Sequence, residues 1–141
     1  MIIKILFLII CCFSQIIFAN TTCNNTTSSI EVLICKTSQE YQDLKLIGEV
    51  EILINASAPD TENVIDEARK RIKPVYSKAK NAVFFNNRAG DALNEFFVYW
   101  ITIINDYHPY NYEDLSAYQQ RMNQKYIILQ EKANHLRITF E

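Results

Sequence analysis

The sequence predicts an all-α protein: an antiparallel bundle of four to five helices with one N-terminal disulfide. Three observations lead there. The 141 residues include only two glycines and three prolines, too few for a β-sandwich or barrel, which needs turn residues every 8–12 positions. Apolar residues recur at i, i+3, i+4 spacing over long stretches, the period of an amphipathic helix. Two cysteines, Cys23 and Cys35, lie beyond the apolar leader.

That leader comes first. Lys4 supplies one positive charge, Ile5 to Phe13 is unbroken apolar sequence, and Ala19 offers a small residue before Asn20. Residues 1–19 therefore read as a signal peptide, since a spanning helix needs about 20 apolar residues and Ser14-Gln15 interrupts this run too early. Residues 20–141 then form a single helical domain, long enough to bury one core. Cys11 and Cys12 leave with the leader. Cys23 and Cys35 remain as one even pair in an oxidising compartment and are expected to join. No lipobox precedes any cysteine, so no membrane anchor is expected and the product is periplasmic or secreted. Sequons at Asn20, Asn24, Asn25 and Asn55 matter only in a eukaryotic source.

Residues 20–29 are a polar entry. Ser28 or Ser29 can cap a short first helix that ends near Cys35, with Ile30, Leu33 and Ile34 on one face. Thr37-Ser38-Gln39-Glu40 has the form of a capping box, which starts a second helix over about 38–55. Within it Val50, Ile52 and Ile54 alternate with Glu49, Leu53 and Glu51, so residues 46–54 also fit a strand. Helix is favoured, because no second convincing strand exists to pair with it. Ala58-Pro59-Asp60 breaks the chain, and Asp60 or Thr61 caps a third helix on the line Val64, Ile65, Ala68, Ile72, Val75, Tyr76, Ala79. Pro74 should kink or restart that helix. After Asn86-Asn87-Arg88, a fourth helix carries Ala89, Leu93, Phe96, Phe97, Trp100, Ile103, Ile104 and Tyr107. Pro109 pushes His108 out of helical geometry. A last helix over about 113–138 carries Leu115, Tyr118, Met122, Tyr126, Leu129, Ala133 and Leu136.

Charge is split along the chain. Residues 20–67 carry a net of −7, and residues 68–141 a net of +4. Either facing helices neutralise each other, or the first half offers an acidic face to a basic partner. The overall negative balance excludes a generally basic nucleic-acid binder. Chemistry is sparse. Two histidines, His108 and His135, are available as general bases, no nucleophile-elbow sequence occurs, and two glycines cannot build a phosphate loop. On a helix Glu49 and Glu51 point about 200° apart and make a poor acid–base dyad. The two mature cysteines lack neighbouring histidines, so no metal and no cofactor is expected, and the chain is read as a non-enzyme. The segment Tyr107-His108-Pro109-Tyr110-Asn111-Tyr112 holds three tyrosines in six residues. Exposed tyrosines anchor protein interfaces, so Tyr110 is a candidate contact residue. Alternatively Tyr107 and Tyr112 close the ends of the core.

Cys23, Glu31, Ile34, Cys35 and Leu44 follow a pattern similar to the start of the LprI-type lysozyme-inhibitor family: a cysteine, a short Glu-containing helix ending in Ile-Cys, a polar turn and a second helix. The likeness covers about 25 residues of the mature chain, which lacks the family's further cysteines. It implies a Cys23–Cys35 disulfide and binding without catalysis. An acidic patch of Glu31, Glu40, Asp43, Glu49 and Glu51 would meet a basic lysozyme. The expected function is thus an exported small helical binding protein of the cell envelope. The alternative is a secreted effector or carrier holding a small apolar ligand between helices.

Overall fold

The computed structural model describes residues 23–25, 28–56 and 61–141. They form a 3-10 turn at Cys23–Asn25 and four helices: α1 (Ser29–Ile54), α2 (Thr61–Ala82), α3 (Asn87–Asn105) and α4 (Leu115–Phe140). Among the described residues there is no strand. The leader at residues 1–19, the break at 58–60 and the side-chain cap expected at Asp60 or Thr61 lie outside them. Helix α1 packs against α2 and α4, α3 against the same two, and α1 also touches α3. Cross-helix pairs fix the directions. Glu31 at the start of α1 meets Arg137 at the end of α4, while Glu49 near the end of α1 meets Gln119 near the start of α4. Arg69 of α2 reaches Asn105 at the end of α3. The bundle is antiparallel, and Cys23 is bonded to Cys35 with their Cα atoms 5.6 Å apart.

The expected first and second helices are one. Thr37 does not cap a new helix, because it is fully buried inside α1. Its hydroxyl donates back to the carbonyls of Leu33 and Ile34 at 3.0 and 2.9 Å, a satisfied arrangement available only within a continuing helix. Glu40, the other half of the box, turns away to Arg71 of α2. Residues 46–54 are helical. Ser28 takes the N-cap position with extended backbone, yet its side chain makes no cap bond. At the far end Asn55 adopts the left-handed conformation (φ 52°), which asparagine tolerates, and closes the helix. Pro74 does not restart α2, which runs unbroken past it. The ring sits on the exposed side, where water can serve the carbonyl that a proline leaves without a donor.

The expected stripes form the core. Phe96, Trp100, Ile103 and Tyr107 from one side and Tyr118, Met122, Leu129 and Leu136 from the other are fully buried, together with Leu33, Tyr41, Leu44 and Ile72. Tyr76 of α2 stacks on Phe97 of α3, and Tyr41 of α1 on Tyr126 of α4, with ring centroids 3.8 and 4.5 Å apart. Gly48 is the closest approach. A Cβ there would lie 2.0 Å from Oη and 2.3 Å from Cζ of Tyr118. The Tyr118 phenol is fully buried and donates to the carbonyl of Tyr107 at 2.8 Å, so it cannot swing aside. Gly48→Ala is therefore expected to destabilise the fold by about 2 kcal/mol. Overpacking costs up to about 3 kcal/mol, and alanine's better helix propensity returns about 1 kcal/mol. Urea melts check this. In Tyr118→Val the added methyl should cost much less, so the two changes combine non-additively.

Candidate functional site

The turn between α3 and α4 is built around one side chain. Arg121, on the second turn of α4, reaches back over residues 106–113. Its Nε donates to Glu113 Oε2 at 2.7 Å and its Nη2 to Glu113 Oε1 at 2.9 Å, a two-pronged pair. Nη1 donates to the Asp106 carbonyl at 2.7 Å and approaches Asp106 Oδ2 at 3.3 Å, and Nη2 also donates to the His108 carbonyl at 2.7 Å. Its guanidinium carbon lies 4.1 Å from the Tyr110 ring centroid, within cation–π range. The turn adds its own bonds. Tyr110 N–H donates to Glu113 Oε1 and Tyr110 O–H to Asp106 Oδ1, at 3.0 and 2.9 Å. Asp114 caps α4 by accepting from the Ala117 N–H at 2.8 Å. These contacts set the local acidities. The Arg121 hydrogen bonds hold the Glu113 carboxyl below its ordinary range. Burial pushes Asp106 up, but bonds from Lys125 and Tyr110 outweigh it and the net shift is down. Burial, aided by the Glu51 charge, raises the Tyr107 phenol to about 12.

A cleft of about 220 Å³ opens between this turn and the end of α1. Glu51, Ile52, Asn55, Pro109, Tyr110 and Asn111 line it. Glu51 is only 8 % exposed. Its Oε2 lies 2.9 Å from His108 Nδ1, while its Oε1 is buried with no hydrogen-bond partner. The last turn of α1 contains no basic residue, so the negative end of the helix dipole is uncompensated here. Three carboxylates, Glu51, Asp106 and Glu113, meet two basic side chains, Arg121 and Lys125, here. The site is a negatively biased cleft beside a braced aromatic turn.

No protein-family model, curated protein or solved structure matches this chain.

The expected acidic face is divided among partners. Glu31 makes a two-pronged pair with Arg137, at 2.6 and 3.1 Å. Glu40 does the same with Arg71, at 2.5 and 3.0 Å. Glu49 accepts from Gln119 and lies 3.6 Å from Lys45. Asp43 sits beside Glu40 and Arg71, and burial followed by the Glu40 charge raises its pKa. Glu31 and Glu49 thus face α4, Glu40 faces α2, and Glu51 joins the α3–α4 turn. Of the candidate contact residues, the structure brings Glu51 and Tyr110 together and leaves the others apart. Within the aromatic segment, Tyr107 is buried and closes the core, but Tyr112 is 87 % exposed and does not. Sequence reasoning missed Arg121, Asp106 and Glu113. One signal was there: Arg121 is the only charged residue between Asp114 and Lys125, and it sits beside the core position Met122. Among the described residues no group of three or more His, Cys, Asp or Glu is arranged to hold a metal ion. None of their helices is long and apolar enough to cross a membrane.

Proposed function

We propose that this chain is an exported, non-catalytic binding protein that engages a basic protein partner through the α3–α4 turn. One observation carries the reading: Tyr110 and Tyr112 stand out from a turn that Arg121 braces through the carbonyls of Asp106 and His108 and the carboxylates of Asp106 and Glu113. Tyrosines are frequent interface anchors, and a turn ordered before binding loses less entropy when a partner arrives. The negative bias of the adjoining cleft favours a cationic surface and would steer its approach. The Cys23–Cys35 bond supports life in an oxidising compartment. The filled interior, with Phe96, Trp100 and Tyr118 fully buried, favours surface binding over carriage of a ligand between helices.

The partner class suggested by the N-terminal resemblance is a basic lysozyme, and a turbidity assay on cell walls tests it. Purified protein should slow clearing at micromolar concentration, less so as salt rises. Tyr112→Ala should weaken inhibition at least tenfold while leaving the melting temperature unchanged, because the ring has few contacts to lose. No inhibition at micromolar protein and low salt would remove lysozyme as the partner. Inhibition that Tyr112→Ala leaves intact would remove the turn as the contact surface.

A further inference from the structure

The opposite end of the bundle carries a second, unrelated feature. The α2–α3 turn ends in Phe84 and Phe85, which are 73 % and 97 % exposed. Their rings meet edge to face at 5.0 Å. Slack in the chain does not explain this exposure, because the turn is tied down on every side. Phe84 N–H donates to Asn81 O and Asn86 N–H to Val83 O, at 3.3 and 2.9 Å. Val83 is buried in the core. The Asn86 side chain accepts from Ala89 N–H and donates to the Thr139 carbonyl at 3.1 Å, which brings the neighbouring Phe140, itself exposed, to the same end. The fold holds two phenylalanines out into water, an arrangement that ordinarily marks a contact surface.

The charge around the tip says what kind of surface. Residues 68–90 contain seven basic residues and no acid, against the exposed acids Asp91 and Glu141 at the same end. Three of the seven are occupied: Arg71 by Glu40, Lys70 by Glu67, and Arg69 by Asp66 and Asn105. Lys73, Lys78, Lys80 and Arg88 have no ion-pair partner among the described residues and are exposed. Lys78, Lys80 and Arg88 thus lie within about two helical turns of an exposed aromatic tip. Aromatic side chains entering the headgroup–acyl boundary, with lysine and arginine holding the phosphates, are the means by which a peripheral protein grips a membrane. We infer that the α2–α3 turn docks on an anionic lipid surface, with Phe84 and Phe85 inserted and Lys78, Lys80 and Arg88 above them. This surface lies at the other end of the bundle from the α3–α4 turn, so the two contacts can coexist, and neither inference rests on the other.

Vesicle co-sedimentation tests it. The full mature chain should pellet with vesicles of phosphatidylglycerol and phosphatidylcholine at low salt, and should stay in the supernatant with phosphatidylcholine alone. Phe85→Ser and the double change Lys78→Glu with Lys80→Glu should each weaken binding at least tenfold. All three positions are exposed, so circular dichroism should show unchanged folds. Phe85→Trp should give an emission blue shift on anionic vesicles, against the constant signal of buried Trp100. Failure of the unaltered protein to bind anionic vesicles at low salt overturns the inference. So does binding that Phe85→Ser leaves unchanged. A lipid-free dimer in sedimentation equilibrium that Phe85→Ser disperses would also overturn it, by assigning the tip to a second copy of the chain.

Discussion

Arg121→Met is expected to destabilise the protein by about 2–3 kcal/mol, somewhat less than removing one partner of a fully buried ion pair, because the Arg121–Glu113 pair is part-buried. The Arg121 and Glu113 side chains are 16 % and 6 % exposed, so little water reaches either. Methionine keeps the aliphatic packing and removes every donor. Glu113 would then be left charged and enclosed, and the carbonyls of Asp106 and His108 would each lose a 2.7 Å bond. Urea unfolding at neutral pH measures the loss. Arg121→Lys should recover less than half of it, because a compact ammonium group cannot span Glu113 and two carbonyls as the planar fork does. Acid supplies an independent check. The folded-state pKa values of Glu113 and Asp106 lie below their unfolded values. Their contribution is fully present above the unfolded values and is lost as pH falls through the folded ones. The gap between wild type and Arg121→Met should therefore narrow below about pH 4. A gap that stays constant down to pH 2 would mean that these ion pairs do not hold the turn. If the proposed contact through the turn holds, the substitution should also weaken partner binding beyond its effect on stability, since Tyr110 would lose both the cation over its ring and the geometry of its Asp106 bond.

What the sequence makes legible follows the range of the interactions involved. Helices α3 and α4 are readable because their stripes are apolar at helical spacing and face one core; Leu93, Phe96, Trp100 and Ile103 are all buried as expected. Helix α1 is harder, because it lies between α2 and α4 and its polar residues are spent on partners far away in the chain. Glu40 and Glu51 are buried carboxylates whose partners are 31 and 57 residues away. The alternation of Val50, Ile52 and Ile54 with Glu49, Glu51 and Leu53 makes residues 46–54 look half like a strand. The Thr37–Glu40 capping box misleads for a related reason. A capping box stabilises only where the backbone amides lack partners, and the buried hydroxyl of Thr37 finds Leu33 and Ile34 within the same helix. At the candidate site, the density of tyrosines over 107–112 exposes the turn to view, but not which ring faces outward. Tyr107 and Tyr112 are chemically alike, and only the position of each on the turn separates the buried one from the exposed one. The brace is hidden altogether, because one arginine among glutamines and asparagines shows nothing of the residues 8 to 15 positions behind it that it holds.

Reduction of the Cys23–Cys35 bond, or its replacement in Cys23→Ala with Cys35→Ala, is expected to cost about 3 kcal/mol. A link across a sequence separation of 12 removes about that much free energy from the unfolded chain on the loop-entropy model. The position adds a native-state component. The Ser28 side chain makes no cap bond at the start of α1, so the ordinary device for holding a helix N-terminus is missing. The disulfide takes that role by tying the fully buried Cys23 in the 3-10 turn to the second turn of α1. Ile30, Leu33 and Ile34, which seal the core beside α4, lie within the closed segment. Reduction should thus loosen the chain from one end. Hydrogen exchange should quicken first at residues 30–35 and at the facing end of α4, where Glu31 holds Arg137, while Phe96 and Trp100 at the centre stay protected until global unfolding. Urea melts with and without a thiol reductant give the total, and exchange gives its distribution. Uniform acceleration along all four helices would favour the purely unfolded-state account, in which the bond constrains the disordered chain and does nothing particular for α1. Equal stability in the reduced and oxidised forms would remove the disulfide as a support of the fold.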